Sequence, residues 1–173
     1  MTVLVILGLL AILAAFIQTR PGEFSVSRSA TIGAPPAKVF PNVNELQKWE
    51  AWSPWAKLDP DCKTTFEGPA AGTGAVMRWD GNNKVGKGSM TVTDSRPSEL
   101  VRFRLDFLKP FKGTNTAEFT FRPESNGTFV NWSMKGTNNF VGKAMSLVMN
   151  CEKMVGPQFE KGLAQLKAVS ETK

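Results

Sequence analysis

The 173-residue sequence contains no histidine and no tyrosine. Without imidazole there is no Ser-His-Asp or Cys-His couple, no histidine metal ligand, and no general acid–base group naturally matched to neutral pH. Cysteine is nearly absent too. Cys62 and Cys151 are the two in the chain, too few for a four-thiolate zinc site and not at CxxC spacing. The residues therefore predict neither a cofactor nor a metal. Runs of like charge are also missing: 21 Lys and Arg against 15 Asp and Glu give a net charge of +6, but the basic residues are scattered singly. Nucleic acid is not an expected partner on that pattern. No internal repeat or low-complexity stretch is visible.

What is present begins with a segment of no charge at all. Residues 1–19, MTVLVILGLLAILAAFIQT, are apolar almost throughout. As a helix they would measure about 28 Å, close to the roughly 30 Å of a bilayer's hydrocarbon core. Pro21 and Gly22 stop such a helix. A cleaved signal peptide is the rival reading, but no Lys or Arg precedes the apolar run and no clean A-x-A site follows it. The expectation is an uncleaved transmembrane anchor at 1–19, a linker at 20–23 and one domain at 24–169. Arg20, Arg28 and Lys38 follow the segment, so the positive-inside rule places the C-terminal domain in the cytoplasm.

Within the domain, residues 24–32 alternate, with Phe24, Val26, Arg28, Ala30 and Ile32 on one face, as a half-buried strand does. Pro35 and Pro36 suit the start of a short helix, 37–43. Asn44 is the expected N-cap of a second, 45–51, ended by Ser53-Pro54. Six strands are then predicted, at 63–67, 74–79, 85–94, 100–108, 114–122 and 128–135, separated by Gly, Pro, Asn and Asp turn signals. Val101, Phe103, Leu105 and Phe107 face one way and Arg102, Arg104 and Asp106 the other; Phe119, Phe121, Val130, Trp132 and Met134 alternate similarly. One face of the sheet is aromatic and sulfur-rich, the other charged and wet. From Phe140 the period changes to three and four, through Leu147, Cys151, Phe159 and Leu166. This predicts a long amphipathic helix, bent at Gly156-Pro157, whose stripe covers the aromatic face. The fold class is α+β.

A family resemblance rests on FSVSRSATIGAPPAKVF at 24–40, WEAWSPWAKLDP at 49–60, GTGAVMRWDGNNKVGKGSM at 72–90 and MVGPQFEKGLAQLK at 154–167. With these segments the chain resembles the polyketide cyclase/dehydrase-like members of the SRPBCC (START-like) superfamily, related to the birch-pollen allergen, and in particular their membrane-anchored subgroup. The resemblance implies a helix-grip fold, in which a curved antiparallel sheet wraps on a long C-terminal helix and a deep apolar cavity lies between them. It implies a hydrophobic small molecule or lipid as partner. It carries over no catalytic motif residue by residue.

The side chains expected to line that cavity are Trp49, Trp79, Phe103, Phe119, Trp132, Met134, Met145 and Met149, with Arg28 as the polar group inside. Indoles grip apolar ligands and offer one N–H, and thioethers adapt to varied shapes. The same residues are equally the material of a plain core, and Trp52-Ser53-Pro54-Trp55 reads as a structural plug. Arg28 on an apolar face needs a carboxylate partner, a ligand anion, or an open edge through which to snorkel. The carboxylates at Glu67, Asp80, Asp106 and Glu118 fall near turns or on the wet face, so no acid–base pair converges inside. The expected function is membrane-tethered binding of a hydrophobic molecule. The alternatives are a cyclase, dehydratase or hydrolase working without His or Tyr, and a regulatory partner of another membrane protein with a vestigial cavity. Composition does not settle the oligomeric state.

Overall fold

In the computed structural model the structure describes residues 2–138, 140–145, 147 and 151–172, without the side chains of 2–5, 10, 141 and 145. The elements are α1 (Thr2–Gln18), β1 (Glu23–Ile32), α2 (Pro36–Asn44), a 3₁₀ turn (Leu46–Lys48), α3 (Trp49–Trp52), β2 (Lys63–Glu67), β3 (Val76–Asp80), β4 (Lys87–Arg96), β5 (Leu100–Lys109), β6 (Gly113–Glu124), β7 (Gly127–Thr137), α4 (Phe140–Met145) and α5 (Cys151–Glu171). The seven strands form one antiparallel sheet in the order β1-β7-β6-β5-β4-β3-β2. A single crossover, through α2 and α3, takes the chain from one sheet edge to the other.

The period-2 pattern survives as register. Across the sheet, Val101, Phe119, Trp132 and Arg28 form one transverse row, and Val92, Phe103, Ala117, Met134 and Val26 the next. A third row runs Phe66, Met77, Met90, Leu105, Asn115, Gly136 and Phe24. All three point to the face that α5 covers. The opposite face carries Arg102 with Glu118 at 2.8 Å, Arg104 with Asp106 at 2.9 Å, and Arg78 with Glu67 at 2.8 Å.

Two local expectations change. Asn44 does not cap a helix; its side-chain oxygen accepts from the Ser95 hydroxyl at 2.7 Å. The second helix is split into a 3₁₀ turn and α3, pinned to α2 by the indole N–H groups of Trp49 and Trp52, which donate to Val43 and Asn42 carbonyls at 2.8 Å. The C-terminal helix runs through the Gly156-Pro157 pair expected to bend it. Pro157 sits inside α5 on the exposed side, where water can serve the backbone that proline leaves unbonded.

The N-terminal helix forms, but with 17 residues instead of 19. The Thr19 hydroxyl donates back to the Phe16 carbonyl at 2.7 Å and the Arg20 amide bonds to Ile17, closing the last turn early. Among the described residues no helix is long and apolar enough to cross a membrane, which is shorter than the expected transmembrane segment. Ile6, Leu7, Leu9, Ile12, Leu13 and Phe16 are all about half exposed or more.

Four bonds fasten the C-terminal end of α5. Glu171 accepts from the Gly33 amide at 2.5 Å, Lys38 donates to the Thr172 carbonyl at 2.8 Å, Lys167 to Thr31 at 3.0 Å, and Asn42 to Ser170 at 3.0 Å. The helix is therefore fixed at the end near α2, and its N-terminal turn reaches toward the opposite end of the sheet.

Candidate functional site

The concave face divides into a closed half and an open half. In the closed half the rings fill the space. Trp132 stacks on Phe159 of α5 at 3.9 Å and 8°, and on Phe119 at 4.7 Å and 27°. Trp49, Trp52 and Trp55 meet it edge-on at 6.1, 5.8 and 5.8 Å, and Phe103 packs against Trp49 at 5.4 Å. Gly162 makes this fit: a Cβ there would lie 2.7 Å from the Trp132 ring and 3.1 Å from Pro54. So Trp49, Phe103, Phe119 and Trp132, expected on a cavity wall, sit behind any site as its support. In this half α3 and α5 place Trp49, Trp52 and Phe159 in the space between helix and sheet.

In the open half apolar side chains remain half-buried. Phe24, Met77, Trp79, Leu105 and Phe107 lie there with Asn115, and Phe66 is 44% exposed. Glycines shape this half as well. A Cβ at Gly88 would strike the Trp79 ring at 2.6 Å, and one at Gly136 the Phe24 ring at 2.6 Å. Trp79 is steadied by Phe107 at 6.0 Å and by its N–H on the Val85 carbonyl at 3.3 Å. Met134 borders the open half and takes a bond from the Asn115 amide at 3.8 Å. Cys151 and Val155 of α5 face the same space, partly buried. Burial, with the charge of Glu152 second, pushes the Cys151 thiol above its ordinary range, so it stays protonated at neutral pH. The Gly81–Gly88 stretch is the β3–β4 connection and forms the rim, with Gly86 set against the Lys109 carbonyl.

Arg28 is met by carboxylates of the chain itself. Its Nε donates to Glu160 and its NH1 to Glu152, both at 2.6 Å. Those residues flank Gly156 at four-residue intervals on one face of α5, and a Cβ at Gly156 would lie 2.9 Å from the guanidinium carbon. The hydrogen bond to Glu160, then that to Glu152, raises the guanidinium's pKa further. Arg28 thus ties β1 to the middle of α5 and its charge is already compensated. The spacing Glu152–Gly156–Glu160 was the sequence signal for this clamp. Met145 has no described side chain, and Met149 lies outside the described residues.

The two cysteines are not bonded to each other. Among the described residues no group of three or more His, Cys, Asp or Glu could hold a metal ion. An open depression of about 640 Å³ lies at the ends of β1, β6 and β7, lined by Ser25, Thr114, Thr116 and Lys135 and bordering the open half at Phe24 and Gly136.

The wet face predicts an acid sensitivity. The Arg78 hydrogen bond holds Glu67 low, Lys87 does the same for Asp80, and Thr114 ahead of Arg104 for Asp106. A carboxylate depressed in the folded state adds stability above its unfolded pKa of about 4 and loses it as pH falls through the lowered value. The melting temperature is therefore expected to hold from pH 7 to 5 and to drop below pH 4. The triple Glu67→Gln, Asp80→Asn, Asp106→Asn variant should show a shallower drop.

The model of the family described as polyketide cyclase / dehydrase and lipid transport matches residues 23–171. The chain belongs to that family. Membership supports a role in binding hydrophobic ligands or one like that of the polyketide cyclases. Solved structures share the fold at low identity. Protein CV1439 from Chromobacterium violaceum is 16% identical with a TM-score of 0.64, over 86% of this chain and 98% of its own. The di-domain ARO/CYC protein BexL from the BE-7585A biosynthetic pathway is 16% identical with a TM-score of 0.66, over 91% of this chain and 53% of its own. Ara h 8.0201 is 11% identical with a TM-score of 0.60, over 86% and 98%. No curated protein matches the chain.

Proposed function

We propose that the chain is a membrane-tethered binder of a hydrophobic small molecule or lipid, held against the open half of the concave face. One observation carries this reading. Met77, Trp79, Leu105 and Phe107 form a half-buried apolar surface on the inner side of the sheet, continued to Phe24 across Asn115 and Gly136. Burying such a surface under a ligand yields roughly 25 cal/mol per Å². Among the described residues the polar groups within reach are the Asn115 amide and the Cys151 thiol, enough to orient a carbonyl or hydroxyl. The support for a cyclase-like reading is the family itself and its ARO/CYC structural relatives. It requires two converging polar groups, and among the described residues of the open half Asn115 and Cys151 are not hydrogen-bonded to each other.

The tether is α1. At 17 residues it measures about 26 Å, a few ångströms short of the hydrocarbon core, a mismatch bilayers accommodate by thinning and snorkelling. Arg20, whose guanidinium lies 4.4 Å over the Phe16 ring, suits the interface. The domain then lies on the cytoplasmic side. Tethering keeps the pocket beside a ligand that partitions into the bilayer. Retention in the pellet after an alkaline wash is expected, and release into the supernatant would remove the tether.

Ligand binding is tested by titrating the protein with a medium-chain fatty acid while following tryptophan emission. A saturable blue shift that disappears in Trp79→Phe supports the site; an unchanged spectrum in the wild type removes it.

A further inference from the structure

We propose that the tip of the β5–β6 hairpin is a second membrane contact, docking the open end of the domain onto an anionic bilayer surface. The tip is Leu108-Lys109-Pro110-Phe111-Lys112, with Leu108 48% and Phe111 56% exposed and both lysines exposed. Two large apolar side chains offered to water on a turn, each followed directly by a lysine, match an interfacial anchor: apolar side chains enter the headgroup boundary while ammonium groups meet lipid phosphates.

The sheet register extends the cationic surface. Lys63, Asp80, Lys87 and Lys109 are transverse neighbours on β2, β3, β4 and β5, and exposed Lys84 lies in the adjoining β3–β4 loop. Five acids sit at this end, among them Glu23 at the start of β1 and Asp106, which is bonded to Arg104 at 2.9 Å and to Thr114 at 2.6 Å. Asp80 is paired with Lys87 at 2.5 Å. Asp59 is buried and accepts the Asn82 and Asp61 amides at 2.6 and 3.1 Å. Asp61 is exposed. With Asp80 and Asp106 paired and Asp59 buried, the exposed acids Glu23 and Asp61 face Lys63, Lys84, Lys109 and Lys112, a net positive balance.

The location agrees. The row Phe24–Gly136–Asn115–Leu105 puts the start of β1, and so the attachment of α1, at the same end of the sheet as the tip. A chain held by α1 therefore presents Phe111 and its lysines to the same surface, with the half-buried Trp79 and Phe107 just behind them. A protein partner fits less well, because protein interfaces are enriched in arginine and depleted in lysine, and every cation of this group is lysine. The inference goes beyond ligand binding, which it does not require.

The full chain carrying Phe111→Trp would be mixed with vesicles of phosphatidylcholine and about one-third phosphatidylglycerol with brominated acyl chains. Flotation and tryptophan emission are both read, with the wild type subtracted. The added emission should be roughly halved on these vesicles, and the loss should be relieved by Lys109→Glu with Lys112→Glu, or by high salt, which shortens the reach of the lysine charges. A chain that floats while the added emission is unquenched overturns the docking and leaves the α1 tether standing. A chain that fails to float removes both. Equal quenching in pure phosphatidylcholine or in the double glutamate variant overturns the anionic recognition. A lipid-free dimer in which Trp at this position is shielded replaces the bilayer with a second copy of the chain.

Discussion

Trp132→Ala is expected to lower the unfolding free energy by about 3–5 kcal/mol, the range for a large aromatic removed from a packed core. The magnitude follows from its position. Trp132 is 2% exposed and touches five other rings, so truncation leaves a void bounded by rigid aromatics on β6, α3 and α5, none of which can collapse far. A second change separates packing from polarity. The buried Trp132 Nε1 has no hydrogen-bond partner among the described residues, and an unpartnered buried donor costs about 1–3 kcal/mol. Trp132→Phe removes that donor along with part of the ring, so it should cost less than about 2 kcal/mol. Urea denaturation of both variants checks this. An alanine cost near that of phenylalanine would mean the closed half is loosely filled.

The second large effect is on function. Leu105→Arg places a guanidinium in the open half, one row beyond Phe103. Leu105 is half-buried and not sealed, so the new side chain can reach water along its stem, and the unfolding midpoint should move by less than about 1 kcal/mol. An apolar ligand on that surface would have to desolvate the charge. The titration midpoint of the matching medium-chain fatty alcohol, which brings no carboxylate for the guanidinium to pair with, is therefore expected to rise at least tenfold, by the roughly 1.4 kcal/mol per decade that relates affinity to free energy. Unchanged affinity would place the ligand elsewhere, for example in the depression lined by Thr114 and Thr116.

The two variants report on what was and was not legible in the sequence. Alternation in 100–108 and 128–135 identifies the inner face correctly, and β2 falls on the expected residues, because a strand's period is local information. The split of that face is not local. Whether Phe103, Phe119 and Trp132 line a space or fill one depends on how closely α5 approaches, and Gly162 and Phe159 set that distance from over twenty residues beyond β7. The partners of Arg28 lie 124 and 132 positions away; the need for a carboxylate was readable, its identity only through the four-residue spacing of Glu152, Gly156 and Glu160. Helix boundaries failed where side chains compete for the backbone. Asn44 chose Ser95 over a capping role, and the Thr19 hydroxyl ended α1 early.

The central claim is that the open half of the concave face holds an apolar molecule. Its most direct test is organic extraction of the purified full chain, followed by mass spectrometry of what is released, beside the Leu105→Arg variant treated identically. A discrete hydrophobic species near one equivalent per chain, depleted in the variant, is the predicted result. An extract with no species beyond bulk lipid, or the same species in equal amount from both proteins, would contradict it.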